Sequence, residues 1–349
     1  MADARGQAPF GQPEPAKPVP GSTRDGATRP SEPAEARGGS WLAAFKRTLP
    51  EFADDQLTDR AAALTYYAVL SIFPGLLVVV SLLGLLGKSN TQPLITNLTQ
   101  AVPSDVQKII VPAVTNLQGE HRAAGVAAIA GLVLALWSAS GYISAFMRAA
   151  NVIYDVPEGR PFWKTTPVRV GVTLLIMVLL VASAFMVIVS GGLARHVGQV
   201  LGIGSTAVTV WNIAKWPVLL IIVSLMISVL YWAAPNAKRR FQWVSPGGLI
   251  AVVVWLIASG LFALYVANFA NYNRTYGSIA GVIILLVWLW ISNIAILFGA
   301  EFNAELDRGR AAAGGRVPLG QEPYVELRDM RKLQKRRERA QASGAGQRG

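Results

Sequence analysis

Six long apolar runs, at about 61–87, 123–147, 168–191, 213–233, 246–270 and 277–300, dominate the hydropathy pattern of the chain. Each is near or above the roughly 20 residues that a helix needs to cross about 30 Å of hydrocarbon. They predict an all-α, polytopic membrane fold with six transmembrane helices and both termini on one side. Ahead of the first run, WLAAFKRTLPEF sets Trp41, Leu42, Phe45, Leu49 and Phe52 near helical spacing, with Lys46 and Arg47 opposite. That is a short amphipathic helix, lying in the membrane interface or packed on the protein itself. The connection 88–122 has helical spacing at Leu94, Ile95, Leu98 and Val102 and again at Val106, Ile109, Ile110, Val114 and Leu117, with Pro103 between, which predicts an external helical hairpin. Residues 1–38, rich in Pro, Gly and Ala, read as a disordered tail, and no apolar core follows a basic start as in a signal peptide. The expected organisation is therefore a tail at 1–38, a membrane domain at 39–308 and a basic tail at 309–349.

Composition agrees: 52% of the 349 residues are hydrophobic and 15% charged, too apolar for an ordinary soluble chain. The net charge of +12 is informative through its placement. Of the 32 Lys and Arg, 25 lie in the N-terminal segment through Arg60, the 148–167 and 234–245 connections and the segment after 301, against five in the other three connections. By the positive-inside rule both termini are cytoplasmic. Arg169 and Lys215 stand at span ends, where snorkelling to headgroups accounts for them. The tail PYVELRDMRKLQKRRERA reads as a basic helix. Cations there gain on the order of 1 kcal/mol each near anionic lipid, so membrane lipids and anionic headgroups are the expected partners and no nucleic acid is expected. The absence of cysteine excludes disulfides, thiolate metal sites and cysteine nucleophiles.

Catalytic motifs fail on inspection. GLLGKS at 84–89 ends like a phosphate loop, but Leu82 stands where its first glycine belongs, and GIGSTA at 202–207 has no room for a strand-helix-strand unit. His121 and His196 lack a carboxylate cluster. No catalytic, cofactor or metal residue is therefore assigned, and the chain reads as non-enzymatic. Asp59, Asp155, Glu301, Glu305 and Asp307, interleaved with Arg60, Arg148, Arg169 and Arg308, suggest a structural ion-pair layer at the cytoplasmic ends.

Polar residues inside the apolar runs are more telling. In LTYYAVLSIFPGLL, four- and three-residue steps put Tyr67, Ser71, Pro74 and Gly75 on one face. The second run contributes Ser138 and Tyr142, the last Ser292 and Asn293. Such a face points at protein: either a packed contact, with Ser71/Gly75 and Gly277/Gly281 as close-approach pairs, or a hydrated cavity for a solute or lipid headgroup. Glu301, just beyond an uncharged stretch from Gly277 to Ala300, needs a partner at that depth. A latch to Arg60, Arg148 or Arg169 is expected.

AAALTYYAVLSIFPGLL, NVIYDVPEGRPFWK and YNRTYGSIAGVIILLVWLWISNIAILFGAEFNAEL resemble, in order and spacing, the hallmark segments of the YihY/BrkB family of bacterial inner-membrane proteins, from about Trp41 to Asp307. The resemblance implies six spans with cytoplasmic termini. It implies little about activity: some members carry a virulence label tied to serum resistance and others a ribonuclease label, neither transferable through a recognised catalytic residue. The expectation is a protein that binds or moves a small solute or lipid through a polar interior among spans 1, 2 and 6. The alternatives are a structural or envelope-assembly protein and, behind it, a ribonuclease relying on Glu301 or Asp155.

Overall fold

The computed structural model describes residues 41–85, 121–188, 205–268, 273–314 and 323–345. The N-terminal tail and all but the last two residues of the expected hairpin lie outside them. Among the described residues the chain is helical: α1 (Trp41–Asp54), α2 (Leu57–Leu85), α3 (His121–Ile153), α4 (Phe162–Ile188), α5 (Ser205–Ala233), α6 (Pro246–Asn268), α7 (Asn273–Ala313) and α8 (Arg331–Ala345). Five segments, one each in α3 to α7, are long and apolar enough to cross a membrane. The 29-residue α2 stands where the first span is expected.

Helix ends follow local chemistry. Ser245 caps α6, its Oγ accepting from Gly248 N at 3.0 Å, with Pro246 at the first helical position where a missing N–H costs nothing. α3 ends in a left-handed residue, Asp155 at φ 50°, and the bonds Val156 N to Asn151 O and Asp155 N to Val152 O close it as a Schellman turn.

Helices α2 to α7 form a ring in chain order. α2 packs extensively on α3 and α6 on α7, α7 closes onto α2, and the α4–α5 pair joins the rest through α3 and, most thinly, through α5 against α6. α1 crosses one end against α7: Ala44 and Thr48 are buried there, and the rings of Trp41 and Phe302, and of Phe45 and Phe298, lie 5.8 Å apart. Its Leu42 and Leu49 stay exposed, so α1 is packed on the protein while keeping an outward apolar face.

The expected close-approach glycines are not the ones used. A Cβ on Gly75 or Gly281 would meet nothing within 4 Å, whereas one on Gly141 would lie 2.9 Å from Tyr67 Cδ1 and one on Gly247 2.0 Å from Gly299 O. Helix spacing is set where the ring is tight, at α2–α3 and α6–α7.

The expectation that the chain from 309 onward is a tail separate from the membrane domain also needs correction. α7 runs on to Ala313, and 323–330 form a strap bound to the connections at this end of the bundle. Ala237 and Leu327 make an antiparallel bridge, flanked by Lys238 N to Glu326 O at 2.7 Å and Arg328 N to Asn236 O at 2.8 Å. The fully buried Asn236 donates through Nδ2 to Pro157 O and Asp329 O, both at 3.0 Å, and accepts from Asp329 N. Charge alone, used to read this stretch, does not register such backbone pairing. Truncation after Met330 is expected to leave thermal stability in detergent nearly unchanged. Truncation after Gly314 is expected to cost about 2 kcal/mol or more, because buried Asn236 loses its strap partners.

Candidate functional site

Between the helices of the ring lies a half-open cavity of about 460 Å³, lined by residues of all six. Of the expected seam, Ser71, Tyr142, Ser292 and Asn293 line it; Tyr67, Pro74, Gly75 and Ser138 do not. Tyr67 instead fills the α2–α3 contact against Gly141. Thr173 of α4 is a polar lining residue that the sequence reading missed, since a single threonine in an apolar run carries no periodic signal.

The polar atoms are tied to one another. Tyr142 Oη donates to Asn293 Oδ1 at 2.8 Å, and Asn293 Nδ2 donates to Thr65 Oγ1 at 3.0 Å, linking α3, α7 and α2. Ser71 donates to Tyr67 O and Ser292 to Trp288 O, each at 2.8 Å, and Thr173 to Arg169 O at 2.7 Å. Trp255 Nε1 donates to Ser292 Oγ at 3.0 Å. Every one of these hydroxyl hydrogens is taken, while the oxygens keep capacity to accept. The remaining wall is mostly aliphatic, with Ile72, Ile143, Ile176, Met177, Leu180 and Met226 among it. Such an interior suits a neutral, largely apolar molecule, favours one bringing a donor of its own, and disfavours an anion.

At the α1 end lies the expected ion-pair layer, built from partly different cations. Arg47 Nε meets Glu305 Oε2 at 2.6 Å. Arg308 reaches Glu305 Oε1 at 2.7 Å, Glu51 Oε1 at 3.2 Å and Asp155. Arg239 pairs with Asp307 at 2.9 Å and lies over the Tyr154 ring at 4.8 Å; Arg308 lies over Tyr324 at 4.9 Å. Beside it, the buried Arg160 binds Glu158 at 2.7 Å and the carbonyls of Ala233 and Ala234, closing the ends of α3 and α5. Burial would raise the Glu158 carboxyl, but bonds from Arg160 and Asn151 outweigh it and hold it below the usual range.

The expected latch is not made. Glu301 pairs with none of the three arginines: Arg60 Nε donates to Asp55 O at 2.9 Å, the exposed Arg148 reaches Ser144 Oγ at 3.2 Å, and Arg169 Nε is buried without a partner among the described residues. Depth was readable from sequence, but rotation about the helix was not. Glu305, one turn further along α7, is the carboxylate that α1 covers. Arg47, assigned to the polar side of α1, is the cation that covers it.

Comparison with known proteins places this geometry. Residues 48–319 match the family described as Virulence factor BrkB. The chain is 32% identical over 249 residues to a Bacillus subtilis (strain 168) protein named "Putative ribonuclease-like protein YfkH", covering 71% of this chain and 90% of that one. It is 28% identical over 285 residues to a UPF0761 membrane protein of Xanthomonas oryzae pv. oryzae (strain PXO99A), covering 79% and 64%. It is 29% identical over 288 residues to another from Alkalilimnicola ehrlichii, covering 76% and 59%. The chain thus spans less than two thirds of these two UPF0761 proteins. No solved structure matches.

Proposed function

The chain belongs to the Virulence factor BrkB family, and from that premise and the cavity in its ring we propose a membrane protein that holds a neutral, largely apolar solute or lipid between its helices. In this reading α2 completes six spans of a bacterial cytoplasmic membrane, both termini are cytoplasmic and 88–122 forms an external hairpin, as the distribution of Lys and Arg supports. The role is binding or transport, not catalysis. The exposed cations of α8, with Lys335 over the Trp163 ring at 5.8 Å, form a surface for anionic headgroups.

The cavity carries this reading, and within it the balance of acceptors over donors. A diazirine-bearing long-chain alcohol is expected to photolabel cavity-lining peptides of the purified protein, and the matching fatty acid anion to label them several-fold less. Filling the cavity with Ile176→Trp and Met226→Trp should cut alcohol labelling about tenfold. Labelling confined to outward residues such as Leu132 and Leu261, or unchanged in the filled variant, would overturn the proposal.

A further inference from the structure

Among the described residues the carboxylates at the α1 end outnumber the cations shown to hold them. Glu51, Asp155 and Glu305 are held by Arg308, Glu305 also by Arg47, and Asp307 by Arg239 and Arg310. Asp55 and Glu301 have no ion-pair partner among the described residues. Glu301 is 2% exposed, and its Oε2 is buried without a hydrogen-bond partner. A bare carboxylate there is costly, because it is shielded from bulk solvent and no cation among the described residues repays its desolvation.

Its surroundings deepen the cost. Glu51 of α1, Asp55 of the α1–α2 turn and Glu305 of α7 all act on it, and Arg308, the cation that opposes them, is already shared by three other carboxylates. From the end of α3 and from the strap come Tyr154 and Tyr324, both within electrostatic reach of Glu301, and both with buried hydroxyls lacking a hydrogen-bond partner among the described residues. α6, which packs on α7, carries no charged residue, and α2, which packs on it as well, brings Asp59 and Arg60 in its first turn, Arg60 acting on Asp55. Three buried polar groups without a partner among the described residues therefore lie within electrostatic reach of one another, in a region rich in carboxylates.

We propose that Glu301 is an exchangeable proton-binding site, with Asp55 as its partner on the aqueous side. Adding a proton removes the uncompensated charge and converts a carboxylate that only accepts into a carboxylic acid that also donates, in a region where two tyrosine oxygens lie within electrostatic reach. Asp55 is half-buried, and burial together with Glu51 pushes its carboxyl up to about 6, so it takes and releases protons close to neutrality. The site is distinct from the cavity and does not depend on what the cavity holds.

Dicyclohexylcarbodiimide tests this directly, because it adds across the O–H of a protonated carboxyl in apolar surroundings, the acid proton passing to a carbodiimide nitrogen. In the full-length protein in detergent, peptide mass spectrometry should find the adduct on Glu301, several-fold more at pH 6 than at pH 9, and little on the ion-paired Glu305 or Asp307. The Ile176→Trp/Met226→Trp variant should label equally, separating this outcome from the fate of the cavity proposal. Infrared difference spectra against Glu301→Gln, which reproduces the neutral form and should fold, should show loss of one protonated-carboxyl C=O band. No Glu301 adduct at any pH together with no such band overturns the proposal. So does protection by Na⁺ or K⁺ relative to choline at constant pH, which would make this a metal-cation site.

Discussion

Gly299→Val is expected to leave little folded protein in detergent, a loss of about 3 kcal/mol or more, read as the fraction that remains monodisperse on size exclusion and as the melting midpoint. A Cβ at 299 would lie 2.3 Å from Gly247 O, 2.7 Å from Ala251 Cβ and 2.7 Å from Tyr231 Oη. None of these can give way cheaply. The first is backbone, the second is on a fully buried residue, and Tyr231 is tied to Ile296 O. Gly247 is held on its other side as well, its N–H donating to Asn303 Oδ1 at 2.8 Å while Asn303 Nδ2 donates to the capping Ser245. Gly281→Val is the control: it lies on the same helix with open space around it, so near-normal stability is expected. Equal losses in the two variants would show that helix propensity, and not the α6–α7 contact, decides the outcome.

That contrast also marks what sequence can convey about this fold. The long apolar runs survive as helices because their signal is length and composition, which need no knowledge of neighbours. Ser71, Tyr142, Ser292 and Asn293 were identifiable because a polar group in a hydrocarbon-embedded helix must face protein, whichever protein that is. The spacing that chose them also chose Tyr67, Pro74, Gly75 and Ser138. A helical face is wider than the slice of it that reaches the cavity. Glycine pairs misled for a related reason: Ser71/Gly75 and Gly277/Gly281 have the small-residue spacing, but Gly247 and Gly299 meet from different helices and share no local pattern. The strap is the extreme case. Asp329 is held by Asn236, 93 residues earlier in the chain, and Tyr324 stacks on the still more distant Tyr154, and a highly charged stretch gives no periodic sign of either.

Arg308→Met is expected to lower stability in detergent by about 3–5 kcal/mol, the range for removing one partner from a buried ionic cluster. The Arg308 side chain is 14% exposed and its guanidinium serves Glu305 of its own helix, Glu51 of α1 and Asp155 beyond α3. Methionine keeps the stem and removes the fork, leaving Glu305, whose side chain is 1% exposed, with Arg47 alone. Arg308→Lys should recover only part of the loss, since a single ammonium cannot span three carboxylates and loses the planar contact over Tyr324. Adding Glu305→Gln to Arg308→Met should restore stability relative to Arg308→Met alone, because the deepest uncompensated charge is then gone. If the double variant is instead less stable by the sum of both single losses, Glu305 and Arg308 act independently. The cluster would then be a set of surface pairs, and not the joint by which α1, α3 and α7 are held at this end of the bundle.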